Sequence, residues 1–165
     1  MTEQGETPLR SRLLCTAEFE VSGGIFAIGP SPFGDQRIGY VTGGRFFGPR
    51  MNGVILPGGG NWSRSGRLPD GETTVGTFDA RAVWQMDDGA LIYLSYGGRT
   101  RIPDQVRAEF ADPAAPRVDP ARYYLRIAPT FETASPAWAW LNGIVAIGVG
   151  ERTDFGVRHQ VYEVL

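Results

Sequence analysis

The sequence predicts an all-β domain of about nine or ten strands, closed into a barrel or a sandwich, with at most one short helix. Three observations carry this. Apolar residues alternate with period two in most of the apolar runs. The 23 glycines and 12 prolines are spread between those runs, as many tight turns require, instead of gathering in one linker. Too little helix is left to cover a sheet face, so the sheet must bury its apolar side against itself, which also removes exposed edges.

The elements follow in order. Residues Arg12 to Val21 place Leu13, Cys15, Ala17, Phe19 and Val21 on one face and Thr16, Glu18 and Glu20 on the other, a half-buried strand. Ser22-Gly23-Gly24 turns the chain into a short run from Ile25 to Ile28. Gly29 to Asp35 reads as a loop, and strand signals resume from Arg37 to Phe47. Val54 to Leu56 is broken by Pro57-Gly58-Gly59-Gly60, and Ser63 to Gly71 reads as a second loop. Glu72 to Gln85 is a long strand, and Asp87-Asp88-Gly89 closes a hairpin with Ala90 to Tyr96. Pro103 to Phe110 is the one expected helix, with Pro in its first turn and Val106 and Phe110 four apart. Asp112 to Pro120 is a proline-rich loop. Arg122 to Ala128, Trp138 to Val149 and Phe155 to Val164 complete the strands. One domain, residues 12–165, accounts for the length, with residues 1–11 a flexible N-terminal segment.

Composition narrows the chemistry. A net charge of −2 argues against a nucleic-acid partner, which calls for a basic face. All 16 basic residues are arginine, so lysine Schiff-base chemistry is excluded. Cys15, the one cysteine, reads as a small buried hydrophobe. His159 is the one histidine, which excludes a histidine-rich metal site; no metal and no cofactor fingerprint is expected. With no secretory h-region and no apolar run of membrane-spanning length, a cytoplasmic protein without a membrane partner is expected. A homo-oligomer stays open.

The punctuation has a recognisable order: Gly43-Gly44-Arg45-Phe46-Phe47-Gly48-Pro49, then Pro57-Gly58-Gly59, Asn61-Trp62, Asp79-Ala80-Arg81, Asp87-Asp88-Gly89-Ala90, Tyr124-Leu125-Arg126, Trp140-Leu141-Asn142 and Val161-Tyr162-Glu163-Val164. In this the chain resembles a family of small bacterial and fungal proteins filed as a domain of unknown function, whose β-barrel is like those of allene oxide cyclase and the lipocalins. The resemblance spans about Leu13 to Val164. It implies a single antiparallel barrel with an internal pocket for a small molecule. The family pattern usually reads Gly-Asp-Trp where this chain has Gly60-Asn61-Trp62. If that carboxylate is an acid/base elsewhere, the amide here orients a substrate without carrying its proton.

Several residues are candidates for the site. Asn61, Arg81, Arg126 and Asn142 are the expected catalytic groups, the arginines stabilising an enolate-type oxygen if they point inward. A surface ion pair of Arg81 with Asp79 is the plainer alternative. On an undistorted strand Trp138, Trp140 and Asn142 share a face and make an aromatic wall with one amide, or else the indoles fill the barrel. Tyr40, Trp62, Tyr96 and Glu132 join the two tryptophans as expected substrate contacts; Tyr93 and Tyr96 face opposite ways. Glu18 and Glu132, in apolar settings, would have raised pKa values if buried. Together these predict a cofactor-independent lyase, hydratase or isomerase acting on a partly apolar carbonyl compound. The alternative is a lipocalin-like barrel that binds a small molecule without chemistry.

Overall fold

A computed structural model describes residues 7–21, 25–112 and 117–165. The turn expected at 22–24, the middle of the proline-rich loop at 113–116 and the first six residues lie outside the described residues.

The strands, in chain order, are β1 (Ser11–Glu20), β2 (Ile25–Ser31), β3 (Gly34–Tyr40), β4 (Gly43–Phe47), β5 (Gly53–Ile55), β6 (Gly60–Arg67), β7 (Thr73–Met86), β8 (Leu91–Pro103), β9 (Tyr124–Glu132), β10 (Ala146–Thr153) and β11 (Gly156–Val164). One helix, α1 (Asp104–Ala111), follows β8, and 3-10 turns occupy Pro120–Arg122 and Pro136–Gly143. The strands form one sheet of 11, each pairing antiparallel. Eight of them close a ring in the order β7-β5-β4-β1-β11-β10-β9-β8 and back to β7. The all-β barrel expected from the sequence is what forms.

Closure and the flap share a cause. β7 is 14 residues long and pairs with β8 along nearly its whole length. On its other edge, Trp84 to Met86 pair with β5, whereas Thr74 to Arg81 pair with β6. β6 carries β3, and β3 carries β2, so a three-stranded flap extends from the barrel wall.

The even-numbered residues of β7 (Phe78, Ala80, Ala82, Trp84 and Met86) point inward and are buried. Facing them are Ile92, Leu94 and Tyr96 of β8, Leu125, Ile127 and Phe131 of β9, and Ala17 and Phe19 of β1. Trp84 and Phe46 stack with centroids 4.4 Å apart. Glycine supplies room for the large side chains: a Cβ at Gly98 would lie 2.1 Å from Phe78 Cζ, and one at Gly150 2.3 Å from Leu125 Cδ2. Leu141 and Met51 are buried by the β7–β8 turn, whereas Val106 on α1 and Tyr123 are buried at the opposite end.

The structure corrects several local expectations. Ser63 begins no loop: β6 runs on to Arg67, because β7 and β3 both supply ladder partners. Gly29 to Asp35 is likewise a tight hairpin between β2 and β3, with its turn at Pro32 and Phe33. Trp138 to Asn142 is a 3-10 turn opened by Pro136, so Trp138, Trp140 and Asn142 do not share a strand face. In β1 a register shift between Leu13 and Cys15 buries Leu14 beside Cys15. The helix and the Asp87–Gly89 hairpin form where expected; Asp88 Oδ1 accepts from the Ala90 backbone N–H at 3.0 Å.

β5 is the narrowest part of the ring, and Gly53 is clamped there. A Cβ at this position would meet Gln85 O at 2.1 Å and Phe46 Cζ at 2.6 Å. Gly53→Ala is expected to cost about 1–3 kcal/mol of stability, read as a lowered denaturation midpoint in urea.

Candidate functional site

The register sets one tier of side chains across the lumen. Asn61 on β6 pairs with Ala80, Ala80 with Tyr96, and Tyr96 with Pro129. Ala80 is an inward, buried position, so Asn61 and Tyr96 look into the barrel. From the far wall comes His159 of β11, paired with Ala17 and with Gly150. The Tyr96 and His159 rings meet at 5.7 Å, and Phe19 contacts each at 5.9 Å. Trp84 lies one contact deeper, 6.1 Å from Phe19.

Three polar atoms in this region are sealed from solvent and have no hydrogen-bond partner: Asn61 Oδ1, His159 Nδ1 and Trp84 Nε1. Buried polar atoms without partners are rare in native proteins, and each is costly. Each belongs to a residue of inward parity on the aromatic barrel interior. Burial pushes the His159 pKa down to about 3 and raises that of the Tyr96 phenol. Both groups are therefore neutral at pH 7, the phenol a donor and the imidazole a donor at one nitrogen and an acceptor at the other. Among the described residues no three His, Cys, Asp or Glu side chains stand together as a metal site would need.

The remaining expected residues lie elsewhere. Arg81 is exposed on the outer face, 3.2 Å from Asp79, because the odd residues of β7 point away from the lumen. Arg126 also faces outward; its Nη1 donates to Leu125 O at 2.9 Å and its guanidinium lies 4.6 Å from the Tyr124 ring. Tyr40 and Trp62 are exposed on the outer face of the flap, rings 6.5 Å apart edge to face, and Phe26 continues the row. Glu132 and Asn142 meet in a second place, an open cleft of about 500 Å³ outside the barrel, lined also by Tyr93 and Thr133. There Asn142 is committed to the backbone, accepting from Thr133 N–H at 2.8 Å and donating to Thr133 O at 2.9 Å. Trp138 donates from Nε1 to Asp88 Oδ2 at 2.8 Å, and Trp140 lies under the Arg50 guanidinium at 4.1 Å.

Glu18 reverses its expectation. It is buried, but Arg45 and Arg158 donate to its carboxylate at 2.7 Å and 2.6 Å, and these bonds hold its pKa below the ordinary glutamate value. Of the expected set, the lumen tier therefore keeps Asn61 and Tyr96. It adds His159 and Trp84, which sequence reasoning passed over as site residues. The signal for His159 was present: it shares parity with Val157 and Val161 on an alternating strand.

The comparisons agree with this architecture. The model of a family described as "Protein of unknown function (DUF3237)" matches residues 10–164. A UPF0311 protein of Clostridium acetobutylicum is 33% identical over 131 residues, which is 79% of this chain and 78% of the relative. A β-barrel-like protein from Acinetobacter baumannii superimposes with a TM-score of 0.80 at 30% identity, over 99% of this chain and 100% of that one. A structure described as an enzyme from Penicillium herquei superimposes with a TM-score of 0.65 at 21% identity, covering 98% of each chain, and that likeness speaks for the fold alone.

The single histidine makes the electrostatics directly measurable. Its imidazole resonances are expected to titrate near pH 3 in the folded protein, against about 6.5 when unfolded. Between those values the unfolded chain holds the extra proton, so stability falls as pH drops through the window and is untouched above it. The limiting slope is about 1.4 kcal/mol per pH unit. Urea midpoints measured from pH 6.5 to 4.5 should show that decline, and His159→Phe should flatten it.

Proposed function

We propose, from the premise that this chain belongs to the DUF3237 family of proteins of unknown function, that it is a cofactor-independent enzyme moving a proton on a small, partly apolar carbonyl compound inside its barrel. One observation carries the reading: Asn61 Oδ1 and His159 Nδ1 are buried without partners, in the aromatic tier that also holds the Tyr96 phenol. A substrate with oxygen functions would supply the missing hydrogen bonds, and the rings would hold its apolar body.

In this scheme the Tyr96 hydroxyl donates to the substrate carbonyl. As the adjacent carbon loses its proton, negative charge grows on that oxygen and the hydrogen bond strengthens in the low-dielectric lumen. His159 accepts the proton. Its affinity for a proton is low in the neutral lumen because burial penalises the cation, and an enolate oxygen nearby offsets that penalty. Asn61 accepts from a substrate hydroxyl and fixes its orientation. Returning the proton to another carbon gives an isomerase; expelling a leaving group, or adding water in reverse, gives a lyase or hydratase.

The depressed basicity of His159 also favours a second reading, a barrel that binds its ligand and leaves it unchanged. Deuterium exchange separates the two. With a panel of enones and lactones in D₂O, NMR is expected to show protein-dependent deuterium uptake beside the carbonyl of at least one compound. Tyr96→Phe and His159→Gln should each slow that uptake roughly 10²- to 10⁴-fold while the compound still binds. Binding with no exchange and no conversion would favour the carrier.

A further inference from the structure

β10 presents Ala146, Gly148 and Gly150 to the lumen as buried positions, and the next residue of that parity is Arg152. Arg152 pairs with Val157, which also pairs with Phe19 of the lumen tier. Arg152 lies two positions beyond Gly150, the partner of His159, so its backbone stands roughly 7 Å along the strand from the tier. It lies toward the α1 end, where its guanidinium rests 4.6 Å from the Phe110 ring and its backbone N–H donates to Tyr123 Oη at 2.9 Å. No carboxylate pairs with it among the described residues, although acids neutralise nearby arginines: Glu151 binds Arg117 and Arg158, at 2.7 Å and 2.9 Å.

The flap carries a second, exposed arginine of the same parity. Arg37 pairs with Ser63, and Ser63 with the inward Phe78, so Arg37 has the inward parity on β3. Asp35 takes one of its donors, at 3.2 Å. Both arginines are exposed at the end of the barrel; partial desolvation of the Arg152 head and, after it, the charge of Arg37 hold the Arg152 guanidinium below the usual arginine range. Two arginines of inward parity, one of them without an acid partner among the described residues, make a complement to a carboxylate.

We propose that Arg152 and Arg37 form an anion-binding mouth over the lumen, and that the molecule held there carries a carboxylate about one aromatic ring away from its reacting carbonyl. This rests on the lumen being the binding site. Arg152 is then the specificity-determining residue: it selects acids and orients them, carboxylate outward and carbonyl toward Tyr96.

Matched acids and amides test it. 4-Acetylbenzoate and 2-naphthoate, each against its amide, are titrated into the protein while the His159 imidazole resonances are followed. At least one acid is expected to bind about tenfold more tightly than its amide. Arg152→Gln should remove that preference while leaving amide affinity unchanged, which also shows that the variant folds, and Arg152→Lys should restore part of it. Equal perturbation of His159 by acid and amide would overturn the mouth and leave the lumen reading standing. A preference that survives Arg152→Gln would overturn the role of Arg152. Failure of every probe to move the His159 signals would overturn both.

Discussion

The ring is held shut by a strand of three residues. β5 joins β4 to the last residues of β7, and there Gly53 is pressed between the Gln85 carbonyl and the Phe46 ring, which leaves no room for a side chain. Brevity here has a consequence along β7. Its ladder edge from Thr74 to Arg81 is left free of β5, and β6 takes it. An unpaired edge of eight residues would otherwise be a template for aggregation. The flap satisfies that edge and, by the alternation of β6, aims Asn61 into the lumen while Trp62 stays outside. Closing the barrel and furnishing its interior with an amide are one act of strand pairing.

Neighbouring residues on β1 show how strongly the two sides of the wall differ. Ala17 faces inward beside His159, where burial works unopposed and keeps the imidazole neutral. Glu18 faces outward and is also buried, yet two arginines stabilise its charge. Charge is thus tolerated where guanidinium groups cover the wall and is excluded from the aromatic tier. A substrate held in the lumen would meet neutral donors and acceptors there.

Much of the fold was legible because it depends on local pattern. Asp87-Asp88-Gly89 between alternating runs specifies its hairpin, and Pro103 followed by Val106 and Phe110 specifies α1. The alternation of β7 puts Asp79 and Arg81 on one face, but which face is inside depends on the partners of Phe78 and Ala80 across the barrel. Sequence alone therefore could not decide that Arg81 points out and Arg152 toward the mouth. Trp138 to Asn142 looked like a strand by composition; Pro136 and the bonds of Asn142 to the Thr133 backbone made it a turn. The same long-range register decides Asn61 and Tyr96, which is why both could be nominated from sequence and only the ladder could bring them together.

An amide at position 61 fits the rest of the tier. A carboxylate there would lie in an aromatic lumen with Tyr96, Phe19 and a neutral His159, and its charged form would be penalised by burial. Asn61 keeps an acceptor at the same place without that cost. The cation of the interior is displaced to the rim, where Arg152 can hold its charge against Phe110 and solvent is near. In the proposed reading, a neutral floor beneath a cationic rim would give a bound acid a direction, its ionised end at the mouth and its uncharged carbonyl below. Charge that develops on that carbonyl would then arise where the dielectric is lowest and a phenol is already in place, the condition in which a single hydrogen bond changes a barrier most.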